Sequence, residues 1–287
     1  MKPAPFRMVR PRTVAEAVSH LAEGGDGAKA MAGGQSLGPM LNLRLATPDL
    51  IVDLSGIDAL RTVREETGHM VYGALVTHAD VEDGRVPDIA PHVLRRVAGG
   101  IAYRAVRNRG TLGGSLAHAD PAADWVNALS VLGAEVEVAG PSGSRQLSLD
   151  AFLTGALATA LAPGEILVAV RVPKLSATAR FGYVKHCRKV GEFAHAIGAV
   201  LVDPVAGTGR ALMGAIDGPP LVLPAQGAVF GGRLDAGFAD GFAASAADAA
   251  LLAAGVSDAV DRHVHVEVLR RAARQAAGLL ADTRSAA

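Results

Sequence analysis

Ala32-Gly33-Gly34-Gln35-Ser36-Leu37 lies between a short, mostly apolar run, Ala28-Lys29-Ala30-Met31-Ala32, and a helix-like stretch, Leu37-Gly38-Pro39-Met40-Leu41-Asn42-Leu43. The order strand, small-residue loop, helix is what the fold is read from, and a proline is tolerated in the first helical turn. Two adjacent glycines let the backbone approach a ligand closely and turn its N–H groups towards it. Gln35 and Ser36 add side-chain donors, so an anion can be held here without a lysine. A lone Gly-Gly pair is more often a plain strand-to-helix turn whose glycines serve geometry only. A second stretch shifts the balance: Gly110-Thr111-Leu112-Gly113-Gly114-Ser115-Leu116 repeats the same Gly-Gly-small-Leu chemistry, and Ala117-His118-Ala119-Asp120-Pro121-Ala122-Ala123-Asp124-Trp125 follows it.

Upstream of the first loop, Thr13-Val14-Ala15-Glu16 is a capping box that opens a helix ending at Gly24-Gly25. Leu50-Ile51-Val52-Asp53-Leu54 is a second apolar strand, so a small β/α unit closes around residue 55. A mixed α/β segment follows. It has a strand at 70–75, a helix from Thr77 supported by Asp80, and a helical stretch at 87–98. Asp120-Pro121 begins a helix with Trp125, Val126, Leu129 and Leu132 on one face. Residues 134–138 alternate as a strand, and 165–172 is the strongest strand signal, terminated by Pro173. Beyond it, strands at 181–186, 196–202 and 210–216 precede alanine-rich helices at roughly 238–255 and 261–281. Strands followed by helices suggest an α+β domain. The expected division is 1–176, with subdomains of about 1–55 and 56–176, followed by 177–287.

Half of the 287 residues are hydrophobic and a fifth are charged, proportions of a globular protein with ample core. The 28 basic and 28 acidic residues balance, which gives no electrostatic reason to expect nucleic acid or an anionic membrane as partner. No membrane span is expected, because the apolar run 156–162 is cut short by Pro163-Gly164-Glu165, and the N-terminus lacks a signal-peptide core. A cytoplasmic protein is the expectation. Cys187 is the single cysteine, expected as a small buried hydrophobe, and a thiolate-held iron–sulfur cluster needs about four.

Neither Gly-x-Gly-x-x-Gly after a strand nor a nucleotide-hydrolysing P-loop occurs. Gly34-Gln35-Ser36-Leu37-Gly38 does fit the Gly-x-Ser-x-Gly nucleophile elbow, with His263 or His265 to complete a triad. Only 33 residues precede it, too few for the central strands and oxyanion loop of a serine hydrolase. His118, Asp120 and Asp124, or His263 and His265, do not make a recognisable metal-ligand spacing, so no metal site is expected.

The two loops, Val106-Arg107-Asn108-Arg109 before the second and the His-Ala-Asp-Pro-Ala-Ala-Asp run after it resemble the FAD-binding medium subunit of molybdenum hydroxylases, relatives of carbon monoxide dehydrogenase and xanthine dehydrogenase. The likeness runs from Phe6-Arg7 through Gly164-Glu165-Ile166-Leu167 and Gly191-Glu192-Phe193 into the C-terminal segment. It implies an α+β fold: a two-subdomain FAD-binding α/β unit of the PCMH type, then a smaller α+β domain with an antiparallel sheet and helices. It implies FAD held by Ala32, Gly33, Gly34, Gln35, Ser36 and Leu37 and by Thr111, Leu112, Gly113, Gly114 and Ser115. Asp124 is implied as acceptor for sugar or ribityl hydroxyls, Lys185 as a cation near the flavin and Phe193 as a cover for its ring face. Phe193 as plain core is the competing reading. Arg104, Arg107 and Arg109 are either solvated surface groups and carbonyl donors or, by the resemblance, residues beside the cofactor or a subunit contact. The implied function is an electron-transfer oxidoreductase subunit, itself without catalytic residues. Its implied partners are an iron–sulfur small subunit, a molybdenum-cofactor large subunit and an external electron acceptor. A non-catalytic nucleotide-binding or assembly module is the alternative. Ile101-Ala102-Tyr103-Arg104-Ala105-Val106 departs from the His-Pro-Gln-Val form of many relatives, which leaves heteroaromatic and aldehyde substrates as open as carbon monoxide.

Overall fold

The computed structural model describes residues 2–224 and 227–279. They form two units, one from the chain up to Ala119 with Ala134–Pro173, the other from Asp120–Gly133 with the chain from Lys174 onward. The sequence suggests a single boundary near 176; the structure changes unit between Pro173 and Lys174 and also gives 120–133 to the second unit.

The first unit begins with β1 (Arg7–Val9), α1 (Val14–Gly24), β2 (Ala28–Met31), α2 (Leu37–Asn42) and β3 (Leu50–Asp53). The three strands are parallel in the order β1-β3-β2, which makes the fully buried β3 the central strand. Thr13 and Glu16 form the expected capping box, and Ala17 and Leu21 of α1 pack on Val52, Leu54 and Ile57. The chain continues through β4 (Val63–Glu66), β5 (His69–Gly73), α3 (His78–Glu82), α4 (Val93–Gly99), α5 (Arg104–Arg107) and α6 (Leu112–His118). After α7 (Asp124–Val131), which belongs to the second unit, come β6 (Glu135–Gly140), β7 (Gly143–Ser148), α8 (Leu149–Phe152), β8 (Leu153–Gly155), β9 (Ala158–Thr159) and β10 (Ile166–Pro173). An antiparallel sheet of order β4-β5-β10-β6-β7 has β10 at its centre. Arg171 of β10 is paired with Glu66 and Glu135, and Arg64 with Glu137, so a charged ladder covers part of one face.

Two helix starts differ from expectation. The stretch 87–98 becomes helical only at Val93, because the Asp88 carboxylate accepts from Ile89, Leu94 and Arg95 N–H and so caps α4 from outside. The helix expected from Asp120-Pro121 begins at Asp124. Asp120 Oδ1 accepts from Ala122 N–H at 2.9 Å, and Asn127 Nδ2 donates to the carbonyls of Pro121 and Ala123, so residues 120–123 form a turn.

The second unit has an antiparallel sheet of β11 (Arg180–His186), β12 (Ala196–Asp203), β13 (Thr208–Gly214) and β14 (Leu221–Pro224), in that order. α7, α9 (Ala244–Ala253) and α10 (Ala259–Ala276) complete it. The two last helices are shorter than the alanine-rich stretches suggest: 238–241 is a 3-10 turn, while 280 and 281 lie outside the described residues. Val200, Met213, Phe230, Phe238, Leu251 and Leu269 form the core. The architecture is α+β, the class expected, and no helix among the described residues is long and apolar enough to cross a membrane.

α10 lies directly on the sheet: a Cβ at Gly198 would fall 2.6 Å from Leu269 Cα. Gly198→Val should therefore push α10 off β12 at a cost of about 1–3 kcal/mol and lower the melting temperature by several degrees. An unchanged thermal melt would contradict this packing.

His78, 5% exposed at the start of α3, donates its backbone N–H to Gly110 O at 2.9 Å. Burial, reinforced by the charge of Arg107, pulls its imidazole down to about 4. The folded chain thus prefers the neutral ring, and only the unfolded chain protonates as pH falls through the ordinary histidine range near 6.5. The stabilisation is complete above about pH 6.5 and declines as pH falls towards 4, by roughly 3 kcal/mol in total. Urea melts between pH 7 and 4 should show this decline, and His78→Gln should flatten it; an equal slope in both proteins would rule His78 out as its source.

Candidate functional site

Each parallel strand of the first unit delivers the next residues to one edge. Arg10 follows β1, Ala32 and Gly33 follow β2, and Ser55 follows β3. The carboxyl ends of parallel strands are where α/β layers bind ligands, because the loops there diverge and leave a crevice. A cleft of about 240 Å³ lies at that edge, with Arg61, Arg109 and Thr111 also in its walls.

The two glycine loops meet there. An ideal Cβ on Gly33 would be 1.9 Å from Arg109 O, and one on Gly114 would be 3.4 Å from Ala32 Cβ and 2.8 Å from Thr111 Oγ1. Arg109 Nε reaches Gly33 O at 3.3 Å, and Gln35 Nε2 reaches the same oxygen at 3.4 Å. Gly34 has φ +71°, a left-handed conformation that favours glycine. The glycines at 33 and 114 thus let one loop lie on the other.

The loops differ in what they leave open. In the second, Leu112 N–H donates to Val76 O, Gly113 N–H to Ala74 O and Gly114 N–H to Thr111 Oγ1, so these donors are committed to the protein. In the first, the N–H groups of Gly34, Gln35 and Ser36 have no acceptor among the described residues, and the Ser36 side chain makes no capping bond. An unpaired run of backbone donors beside arginines suits an anion. A diphosphate fits this donor set, as part of the FAD that the family resemblance implies.

Three arginines separate into two roles. Arg107 forms a bidentate pair with Glu82, at 2.7 and 2.9 Å, and also donates to Ile101 and Ala102 carbonyls. Arg104 grips Asp83 through two 2.6 Å bonds, which hold that carboxyl down to about 2. These two fasten α5 to α3, and with it the second loop, which also pairs with Thr77 through Thr111. Arg109 lines the cleft instead.

Of the expected site residues, Ala32, Gly33 and Thr111 line the cleft. Gly34, Gln35 and Ser36 form the turn into α2, which Leu37 begins; Leu112 and Gly113 are buried against the sheet, and Gly114 and Ser115 are half-buried in α6. Arg10, Ser55 and Arg61, which sequence reasoning left unassigned, line it too. For Arg10 and Ser55 the signal is position just after a parallel strand, visible only once the pairing of β1 with β3 is known; Arg61 ends a 3-10 turn shortly before β4. Ser36 has φ −101° and ψ −52°, ordinary helical values, not the strained turn of a nucleophile elbow. His265 is fully buried, with Nδ1 2.9 Å from Asp261 O.

In the second unit, Asp124 at the first turn of α7 accepts from Tyr183 OH at 2.9 Å and Lys185 Nζ at 2.8 Å, one on each oxygen. All three groups are largely buried, and burial together with the Asp124 charge pushes the Tyr183 phenol well above its ordinary value. The Lys185 ammonium is thereby neutralised by a partner. Asn127 holds the turn before Asp124, and this needs glycine opposite, since a Cβ on Gly214 would lie 1.6 Å from Asn127 Oδ1. Phe193 is 69% exposed on the β11–β12 connection, which excludes the core role; Cys187 is half-buried, less enclosed than a buried hydrophobe.

Residues 4–175 match the family described as FAD binding domain in molybdopterin dehydrogenase. The chain is 38% identical over 208 residues to the carbon monoxide dehydrogenase medium chain of Afipia carboxidovorans, covering 72% of each. It is 35% identical over 228 residues to the 6-hydroxypseudooxynicotine dehydrogenase complex subunit alpha of Paenarthrobacter nicotinovorans, covering 79% of this chain and 77% of the other. Among solved structures, reconstituted CO dehydrogenase from Oligotropha carboxidovorans superposes with a TM-score of 0.86 at 32% identity, covering 98% of this chain and all of that one. The family, the relatives and the glycine-loop geometry agree: the chain belongs to the FAD-binding medium subunits of the molybdenum hydroxylases, flavoprotein components of molybdenum-dependent oxidoreductases.

Proposed function

We propose that this chain relays electrons: FAD bound to it receives them from an iron–sulfur small subunit, itself supplied by a molybdenum-cofactor large subunit, and they leave to an external acceptor. The observation that carries this reading is the open run of N–H donors at Gly34, Gln35 and Ser36 beside Arg109, in a chain of this family. FAD supplies the ability to take up an electron pair and release electrons to a partner. The chain's own residues bind and orient. The first loop takes the diphosphate on backbone N–H groups, and the second loop braces it from behind. Asp124 has each oxygen fixed by one donor, from Tyr183 or Lys185, and its remaining lone pairs accept from ribityl or ribose hydroxyls. Phe193, exposed on its loop, is available to cover the ring face.

A single cysteine supports assigning iron–sulfur ligation to another chain. The relatives' names span carbon monoxide, nicotine derivatives and caffeine, so substrate choice is assigned to the large subunit.

The FAD-loaded chain, reduced by dithionite under anaerobic conditions, should pass electrons to a dye or quinone. Alone, it should not be bleached by aldehydes or N-heteroaromatic compounds; mixed with its molybdenum and iron–sulfur partners, it should be bleached by the complex's substrate. Bleaching of the isolated chain by an organic substrate would overturn the relay in favour of a self-contained flavin dehydrogenase.

A further inference from the structure

The mouth of the β11–β12 hairpin brings two imidazoles together. His186 ends β11, and its register partner on β12 is Ala196. His195 N–H nevertheless donates to His186 O at 2.8 Å, so two consecutive residues, His195 and Ala196, oppose one. That is the arrangement of a β-bulge, whose effect is to re-aim a side chain. In unbroken alternation His195 would point to the face opposite Ala196, and so away from His186. Instead the two rings lie 6.2 Å apart, centroid to centroid, with their planes tilted by 46°. Both residues are exposed, and neither ring has a hydrogen-bond or ion-pair partner among the described residues. The pair that the sequence suggests is not available for a shared ligand: His265 of His263-Val264-His265 is fully buried, and its Nδ1 is taken by Asp261 O.

Two imidazoles with free ring nitrogens suit a divalent transition-metal ion such as Zn²⁺ or Cu²⁺, and not Mg²⁺ or Ca²⁺, which take oxygen ligands. Zinc–nitrogen bonds of about 2.0–2.1 Å at tetrahedral angles place ring centroids about 5 Å apart, so the rings must close by about 1 Å, which exposed side chains achieve by small torsional shifts. Among the described residues no group of three His, Cys, Asp or Glu side chains could hold an ion, so water fills the other positions. The surroundings add no attraction: Lys185 pairs with Asp124, Arg188 with Glu192 at 3.4 Å, and Lys189 has no side-chain partner among the described residues. Selectivity therefore comes from the imidazoles alone. We propose that His186 and His195 form a two-imidazole site for a divalent transition-metal ion, which on binding staples the mouth of the hairpin that carries Phe193.

The test is calorimetric titration of the full chain with Zn²⁺, with Mg²⁺ as control. One Zn²⁺ should bind per chain, and Mg²⁺ should not compete. His186→Gln and His195→Gln should each weaken Zn²⁺ by at least roughly tenfold, the low end of what losing even a group behind a metal ligand costs. The double variant should be little weaker than either single one, because one remaining imidazole no longer chelates. His263→Gln and Cys187→Ser should leave binding unchanged. Zn²⁺ should raise the melting temperature of the unaltered chain and not that of the double variant. In the unaltered chain it should also shield both histidines together from diethyl pyrocarbonate, read by peptide mass spectrometry. Binding lost in Cys187→Ser but kept in the histidine variants would overturn the assignment, as would a Zn²⁺-saturated chain in which either histidine is modified at its metal-free rate. A chain that binds no Zn²⁺, or binds Mg²⁺ equally well, would overturn the site itself.

Discussion

The backbone of Gly33 lies against the carbonyl of Arg109, closer than any side chain at 33 permits, and the first unit depends on that contact. It joins the loop after β2 to the loop before α6. Because the second loop's amides already donate to Val76, Ala74 and Thr111, the pair is rigid on one side and open on the other. Backbone donors that cannot pair within the fold face a steep penalty unless water or a ligand takes them. Those at Gly34, Gln35 and Ser36 sit at the carboxyl edge of a parallel layer, where arginines already concentrate positive charge. Under the proposed reading, diphosphate binding there would need little rearrangement, which is how a site gains affinity from pre-organisation.

The second unit builds its polar group by a different route. Asp124 is buried, and a buried carboxylate is tolerable only when paired and hydrogen-bonded. Tyr183 and Lys185, two residues apart on β11, present both partners from one face of a strand. The turn that sets the start of α7 is held by Asn127, and Gly214 leaves the room Asn127 occupies. Removing Lys185 alone would leave an uncompensated charge, so the arrangement is all-or-none.

Much of this was legible in the residues. The capping boxes at Thr13/Glu16 and Thr77/Asp80 are local and appear as expected, as do the first glycine loop and, shifted by one residue to 166–173, the strand expected at 165–172, whereas Leu112, Gly113, Gly114 and Ser115 of the second stretch are the start of α6 rather than a loop. What escaped depends on distant partners. Arg109 and Gly33 are 76 residues apart, and nothing in either neighbourhood announces that they touch. Arg10 and Ser55 come together only through the parallel pairing of β1 and β3, and the role of Asp88 as an outside cap competes with the helical pattern that follows it. Pro121 suggested a helix start, but the Asx turn at Asp120 and the grip of Asn127 on two carbonyls prevailed. The resemblance supplied the cofactor; the structure shows that the first glycine stretch keeps its amides open while the second has its amides committed to the protein.

That division is tested most directly by amide hydrogen exchange on the full chain with and without FAD. Peptides covering 33–37 should exchange fast in the flavin-free chain and slow markedly on FAD addition, while 112–114 should be slow in both, because its amides are already bonded within the protein. Saturating FAD uptake with no protection at 33–37 would contradict the assignment of the first loop as the diphosphate donor.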